Sequence, residues 1–388
     1  MRIFGAIAVL LILSAPTVLA IPQYTLMSGN RCANCHVNQQ GAGLRNELGW
    51  YSMMDESIIK PSSIGLGGLF EPLQQSNLTL NETFNYGLDL RAQSSRGIDS
   101  GSTRKTFPMQ VAMHAAWTPQ EGITVEGTYN AGPIRYDGQT SWSASVLAQP
   151  TKDWPQVRIG HFQPSMGIRY DDHSMMIRQI ADNTAYAHPL IAPNYAEYGA
   201  EITYATPTWL SLSAGVFDMT NLARVNINGR QITPGSVGYS GRLVVSDHNT
   251  FTAITNSYVG ASVLAANSMT MTSVFAGVGL EDRVSLMGEV FMMHSQGLAD
   301  TRNAIVALMV KVFDGVYLEG RAEQATLTSI APTAYESTVT QWVIGAQLFV
   351  LPFLEIRPDY RIVETGQSPQ LLDQYKAKRW NVQIHIFY

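Results

Sequence analysis

The chain is short of charge, of cysteine and of long apolar runs. Lysine, arginine, aspartate and glutamate make up 14% of its 388 residues, against about 25% in an ordinary soluble domain. A large part of its surface is therefore built to face something other than water. Only two cysteines are present, too few for a disulfide framework and without the second pair that a four-coordinate zinc site needs. Past the first twenty residues no apolar stretch approaches the roughly 18 residues of a membrane-spanning helix. The longest, such as AIVALMV at 304–310, have the length of a strand. The net charge of -5, with no basic block, leaves no electrostatic footprint for nucleic acid, and that class of partner is excluded.

The opening MRIFGAIAVLLILSAPTVLA places Arg2 before an apolar run from Ile3 to Leu13, then small residues up to Ala20. That is the pattern of a secretory signal, expected at 1–20. From about Thr83 onward the pattern has period two. Trp380, Val382, Ile384, Ile386 and Tyr388 alternate with Arg379, Asn381, Gln383 and His385. Likewise Leu354, Ile356, Tyr360 and Ile362 oppose Glu355, Arg357, Asp359 and Arg361, and Leu318 and Ala322 oppose Glu319, Arg321 and Glu323. Several charges on one strand face need water or partners, which a dry core between two sheets does not offer.

About sixteen such segments follow one another, from 84–94 to 378–388, with 237–246 and 250–261 joined by SDHN. Connections after even-numbered segments are short (TPQEG, ED, DG, LP). Those after odd-numbered ones are mostly long, as in SSRGIDSGSTR, SPQLLDQYKA and 164–197. Short turns on one side and long loops on the other are the habit of outer-membrane barrels, whose periplasmic side carries the turns. The expected fold is all-β: a transmembrane antiparallel β-barrel of about 16 strands over 81–388, with both chain ends in the periplasm. A soluble all-β protein is the alternative, and the low charge, the export signal and the alternating connections argue against it.

Both cysteines lie in GNRCANCHVNQQ, as Cys32-Ala33-Asn34-Cys35-His36. C-x-x-C-H suits covalent attachment of one haem c through two thioethers, with the adjacent His36 as proximal ligand of the iron. A C-x-x-C disulfide and a zinc half-site are the plainer readings. Residues 21–80 are read as a small α-helical haem segment, with a short helix over 41–56 carrying Leu44, Leu48 and Tyr51 on one face. Such a segment is too small for a core of its own, so it is expected to sit inside the barrel or at its periplasmic mouth. Met53 or Met54 is the candidate distal ligand, with Met27 a further thioether near the motif. The plainer role of each is packing.

A signal sequence, one C-x-x-C-H near the mature start and about sixteen following strands resemble the fused monohaem cytochrome-porins of the bacterial outer membrane, the type found in iron-oxidising bacteria. The specific motif of the resemblance is confined to Cys32, Cys35 and His36. It implies an electron conduit between periplasmic carriers and a small extracellular redox ion, possible ferrous iron oxidation included, and outer-membrane lipid around the barrel. An electron-transfer protein rather than a conventional enzyme is implied. The segment after His36, HVNQQGAGLRNELG, lacks the proline of the iron-oxidising members, which leaves the donor open.

The connection starting at 160–179 gathers Arg169, Asp171, Asp172, His173 and Arg178. Long porin loops can fold inward, and Asp171, Asp172 and His173 form a candidate cation-attracting cluster. A solvated, salt-bridged loop is the plainer reading. The competing function is a diffusion porin whose haem segment is a structural or redox-sensing plug.

Overall fold

The computed structural model describes residues 23–29, 35–38, 43–50, 56–65, 68, 77–98, 103–151, 153–170, 175–182, 188–205, 209–251, 253–366 and 377–388. Its main sheet consists of sixteen long strands and one two-residue strand, Leu78–Thr79. The long strands are β1 Phe84–Gly97, β2 Lys105–Gln120, β3 Ile123–Asn130, β4 Trp142–Ala148, β5 Gln156–Phe162, β6 Glu197–Tyr204, β7 Leu210–Asp218 and β8 Val237–Phe251. They continue as β9 Ile254–Ala266, β10 Met269–Leu280, β11 Val284–Ser295, β12 Ala299–Phe313, β13 Val316–Ser329, β14 Tyr335–Leu351, β15 Leu354–Gly366 and β16 Ala377–Phe387. Each is antiparallel to the next, and β16 pairs with β1 (Leu90 opposite Ile386), so the sheet closes into a barrel.

The alternation is inverted relative to a water-soluble protein. On β16, Trp380, Val382, Ile384 and Ile386 are exposed, while Asn381, Gln383 and His385 are buried. The polar faces seen in the sequence turn inward and neutralise one another. Arg321 lies 3.0 Å from Glu319, Arg357 3.3 Å from Glu319, and Arg361 2.7 Å from Asp359. His385 bridges Asp89 at 3.2 Å and Glu355 at 2.8 Å. An apolar exterior around a paired, charged interior is what a barrel in lipid requires.

Two expectations fail and one holds with exceptions. SDHN is not a turn: the ladder runs through Ser246, Asp247 and His248, with an irregularity before Phe251, which pairs with Ile254 of the next strand. Polar residues are tolerated in a strand end near a barrel rim, so turn-type composition alone does not end the ladder. The connections after β9 and β11 are not long: only 267–268 and 296–298 separate those strands from the next. The helix near the motif is phased differently, since Asn46 Oδ1 caps it by accepting from Gly49 N–H at 3.0 Å. Leu44 therefore precedes the helical residues 47–50, Leu48 is 55% exposed, and the buried side chain is Trp50. Tyr51 lies outside the described residues.

Candidate functional site

Of the described residues before β1, Leu26, Met27 and Trp50 are buried against the inner wall, at the end where the chain reverses in short turns. Helix α1, Gln23–Ser28, was not signalled by any periodicity. Its Leu26 packs with inward-facing Val244, Tyr258, Phe275, Met287 and Ala307, and Asn256 Nδ2 donates to the Thr25 carbonyl at 3.0 Å. Tyr24 hydrogen-bonds Gln347, with its ring 5.1 Å from Tyr317 and 6.0 Å from Phe349. Farther along, Glu56 accepts from Lys311 at 3.0 Å and from Tyr317 at 2.5 Å. Ile58 N–H and Ile59 N–H donate to Phe349 O (2.8 Å) and Val350 O (3.1 Å), fastening the segment to the rim of β14.

Between these fixings lies the C-x-x-C-H motif, of which Cys35 and His36 are described and Cys32 is not. The Cys35 carbonyl accepts from Asn46 N–H at 3.0 Å, and Val37 N–H donates to Leu44 O at 3.1 Å. His36 forms an isolated antiparallel bridge with Arg45. Residue 49 has to be glycine, because a Cβ there would overlap the Cys35 carbonyl. Arg45 places its guanidinium 4.2 Å above the Phe387 ring, while Trp50 packs 5.5 Å from Phe353 and 6.1 Å from Tyr388. Cys35 and His36 are half-buried, close to the cavity that Asn38, Gly43 and Leu44 help line. The described part of the motif thus sets a thiol and an imidazole on adjacent residues of a backbone held by hydrogen bonds to Leu44 and Asn46.

The other candidate residues fare unevenly. Met27 is buried with Trp50, Met309 and Phe353, a packing role. Met53, Met54, Asp171, Asp172 and His173 lie outside the described residues. Among the described residues no three His, Cys, Asp or Glu side chains converge as a metal site.

The long connection after β5 folds into the lumen and is pinned there by inward-facing side chains that sequence reading did not single out. Glu201 accepts from Ser165 N–H (3.0 Å) and its hydroxyl (2.6 Å). Glu289 accepts from Ile168 N–H at 3.3 Å and from Ser273 at 2.5 Å, and Glu323 accepts from Met176 N–H. Asn303 Nδ2 donates to the carbonyls of Met176, Ile177 and Gln179 at 3.1, 3.0 and 2.7 Å. Gly167 has φ +57°, and a Cβ there would overlap the Glu289 carboxylate. Met166, Met176, Ile177 and Ile180 then pack against Met271, Phe291, Met293 and Ile305 of the wall. Tyr195, near the end of the connection, donates to Glu197 at 3.0 Å. Burial and that carboxylate hold its pKa well above the usual tyrosine value, so it stays a donor. The available signal was an inward carboxylate such as Glu289 lacking a charge of opposite sign nearby in its own strand.

What remains open is a cavity of about 160 Å³ between this loop, the N-terminal segment and the β1–β5 wall. Asp89, Gln110, His114, Glu126 and Arg158 reach it. Arg158 is ion-paired with Glu126, bonded to Ser145 at 2.9 Å and stacked 4.2 Å over Phe162. The arrangement can hold small polar species.

No protein-family profile and no curated protein matches this sequence. Solved structures do. The high-pH structure of Pseudomonas putida OprB is similar at 12% identity with a TM-score of 0.55, covering 86% of this chain and 99% of the other. Salmonella typhi OmpF in complex with daunomycin has 13% identity and a TM-score of 0.54, covering 79% and 97%. The outer membrane channel DcaP of Acinetobacter baumannii has 10% identity and 0.54, covering 79% and 97%. At such identities the likeness is one of fold: this chain is a sixteen-stranded antiparallel barrel built like the porins.

Proposed function

We propose that the chain is a pore-type barrel of the bacterial outer membrane that passes small polar solutes along a lumen narrowed by its own N-terminal segment and by the connection after β5. The observation that carries this reading is the inverted wall, with Trp380, Val382, Ile384 and Ile386 outside and Glu319, Arg321, Glu355 and Arg361 inside. Both chain ends then belong on the periplasmic side, with the short turns. The test is reconstitution of the full chain into planar bilayers. Small, steady unitary currents are expected, and a barrel that inserts but carries no current overturns the reading.

A second reading is favoured by the position of Cys35 and His36, which are held within the barrel and not on an exposed tail. In it, Cys32 and Cys35 hold one haem c, His36 is the proximal ligand, and Met53 or Met54 is the candidate distal one. The haem supplies one-electron exchange between periplasmic carriers and a small extracellular redox ion such as ferrous iron, with Asp171, Asp172 and His173 the candidate cation-attracting cluster. Gly49, Asn46 and Arg45 are the residues of this chain that set the motif against the wall. The hydrocarbon layer is ~25 Å high, so a lone haem cannot touch both surfaces, and a small ion that enters the loop end suits it better than a bulky protein. Liposomes separate the two readings. A conduit reduces an enclosed acceptor while conducting ions poorly, and a solute pore does the reverse.

A further inference from the structure

We propose that the loop end of the seam formed by β16, β1 and β2 binds the phosphate groups of a glycolipid in the surrounding outer leaflet, through Arg96, Arg104 and Lys378. The proposal rests on the outer-membrane placement above.

Outward-facing positions on these strands follow from the register. Arg96 is opposite Trp380, and Lys378 lies two residues earlier on the same face of β16. Ser94 is opposite Thr106, and Ser95 is opposite Lys105, which carries the ladder on to Arg96 and Arg104 as neighbours. Arg104 is drawn onto that face by its Nε, which donates to Ser94 Oγ at 2.6 Å. Arg96 of β1, Lys378 of β16 and Arg104, just ahead of β2, thus share one exposed outer face. Like charges placed across neighbouring strands repel. Among the described residues none of the three has an ion pair. Among the described residues the outward carboxylate on the adjoining strand is Glu364 of β15, and no ion pair joins it to Lys378. An anion bound across the three cations relieves their repulsion.

The level of the patch says what that anion is. Immediately below it, Trp380 and Tyr360 lie with rings 4.9 Å apart on the same face, followed by exposed Val382, Ile384 and Ile386. Aromatic side chains mark the headgroup level of a barrel, and the apolar residues beyond them mark the acyl chains. The three cations therefore begin where the lipid headgroups are. Arginine pairs suit the oxygens of a phosphate, and lysine adds a point charge. A lipid supplies the apolar contact with Trp380 and Val382 that free phosphate lacks.

The test uses the full chain purified in detergent, titrated by native mass spectrometry with lipid A carrying both phosphates, with its dephosphorylated form and with inorganic phosphate. Retention of the phosphorylated lipid is expected, weakened about a hundredfold in the R96Q/R104Q/K378Q variant, since each cation near a phosphate surface contributes about fivefold. The R224Q/R230Q variant, with two loop cations removed elsewhere, should bind as the parent does. Heat-modifiable migration in gels shows that each variant is a closed barrel. The proposal is overturned if the triple variant binds within about threefold of the parent, if the dephosphorylated lipid binds as well, or if inorganic phosphate displaces the lipid at equal concentration. A protein that conducts in bilayers yet retains no lipid refutes this site alone, leaving the pore reading in place.

Discussion

The wall has a low side and a tall side. Strands β3 to β7 have 8, 7, 7, 8 and 9 residues, whereas β8 to β15 have between 12 and 17. The connections go the other way. The low side carries the long ones at 131–141, 163–196 and 219–236, while the tall side reverses in two or three residues at 267–268 and 296–298. Chain length that the tall side uses in its ladder is used by the low side to fill the lumen. The filling leans on the tall side, where Glu289, Asn303 and Glu323 hold it, and the open cavity is left along the low side and β1–β2. Strands of seven or eight residues also fall short of the roughly 9–11 that span a bilayer, a mismatch met by thinner lipid, by snorkelling flanking residues or by association with a second protein surface.

The largest expected effect concerns the N-terminal segment, the one part that belongs to neither side. In a host that matures cytochromes, the parent chain should carry covalent haem in its absorbance spectrum, and Cys35→Ala or His36→Ala should remove most of it while leaving the barrel closed. A parent without haem ends the conduit reading. Next is the contact between loop and tall side. Glu289→Ala leaves the Ile168 N–H and the Ser273 hydroxyl without their acceptor, a loss of about 1–3 kcal/mol, and should raise both unitary conductance and cleavage of the loop by protease. Glu126→Ala on the low side, which frees Arg158 beside the cavity, should instead shift ion selectivity toward anions. If the two variants behave alike, the division between pinned and open sides is wrong. Gly167→Ala, at φ +57° against the Glu289 carboxylate, should destabilise by about 1–3 kcal/mol and mimic part of the Glu289→Ala effect. Glu56→Gln is the mildest, worth at most about 1 kcal/mol because its pair with Lys311 is half-exposed, and thermal melts should show the difference shrinking in high salt.

Much of the wall was legible because a strand in lipid writes its environment into every second residue. The segments at 84–94, 316–327 and 378–388 all coincide with strands, and the charged faces of β13 and β15 point to the interior as their alternation demanded. Local composition misled where it stood against that alternation, as at Ser246 to His248. What fills the barrel left almost no local trace. The Ile168–Glu289 and Met176–Glu323 contacts join residues 121 and 147 positions apart, and six residues of α1 are too few to display a helical period. At the site, the spacing of Cys32, Cys35 and His36 was readable, but the need for glycine at 49 arises only once residue 35 is folded back onto it.

The fastening at Glu56, Ile58 and Ile59 bears on how the molecule is assembled. These residues hold at the rim a front segment whose Leu26 and Trp50 are enclosed by a cylinder that is not sealed until β16 meets β1. The front of the chain must be folded back before the last strand zips shut, or be drawn through an already narrow opening afterwards. On the first route, any group carried on Cys35 is installed before closure, while enzymes can still reach it.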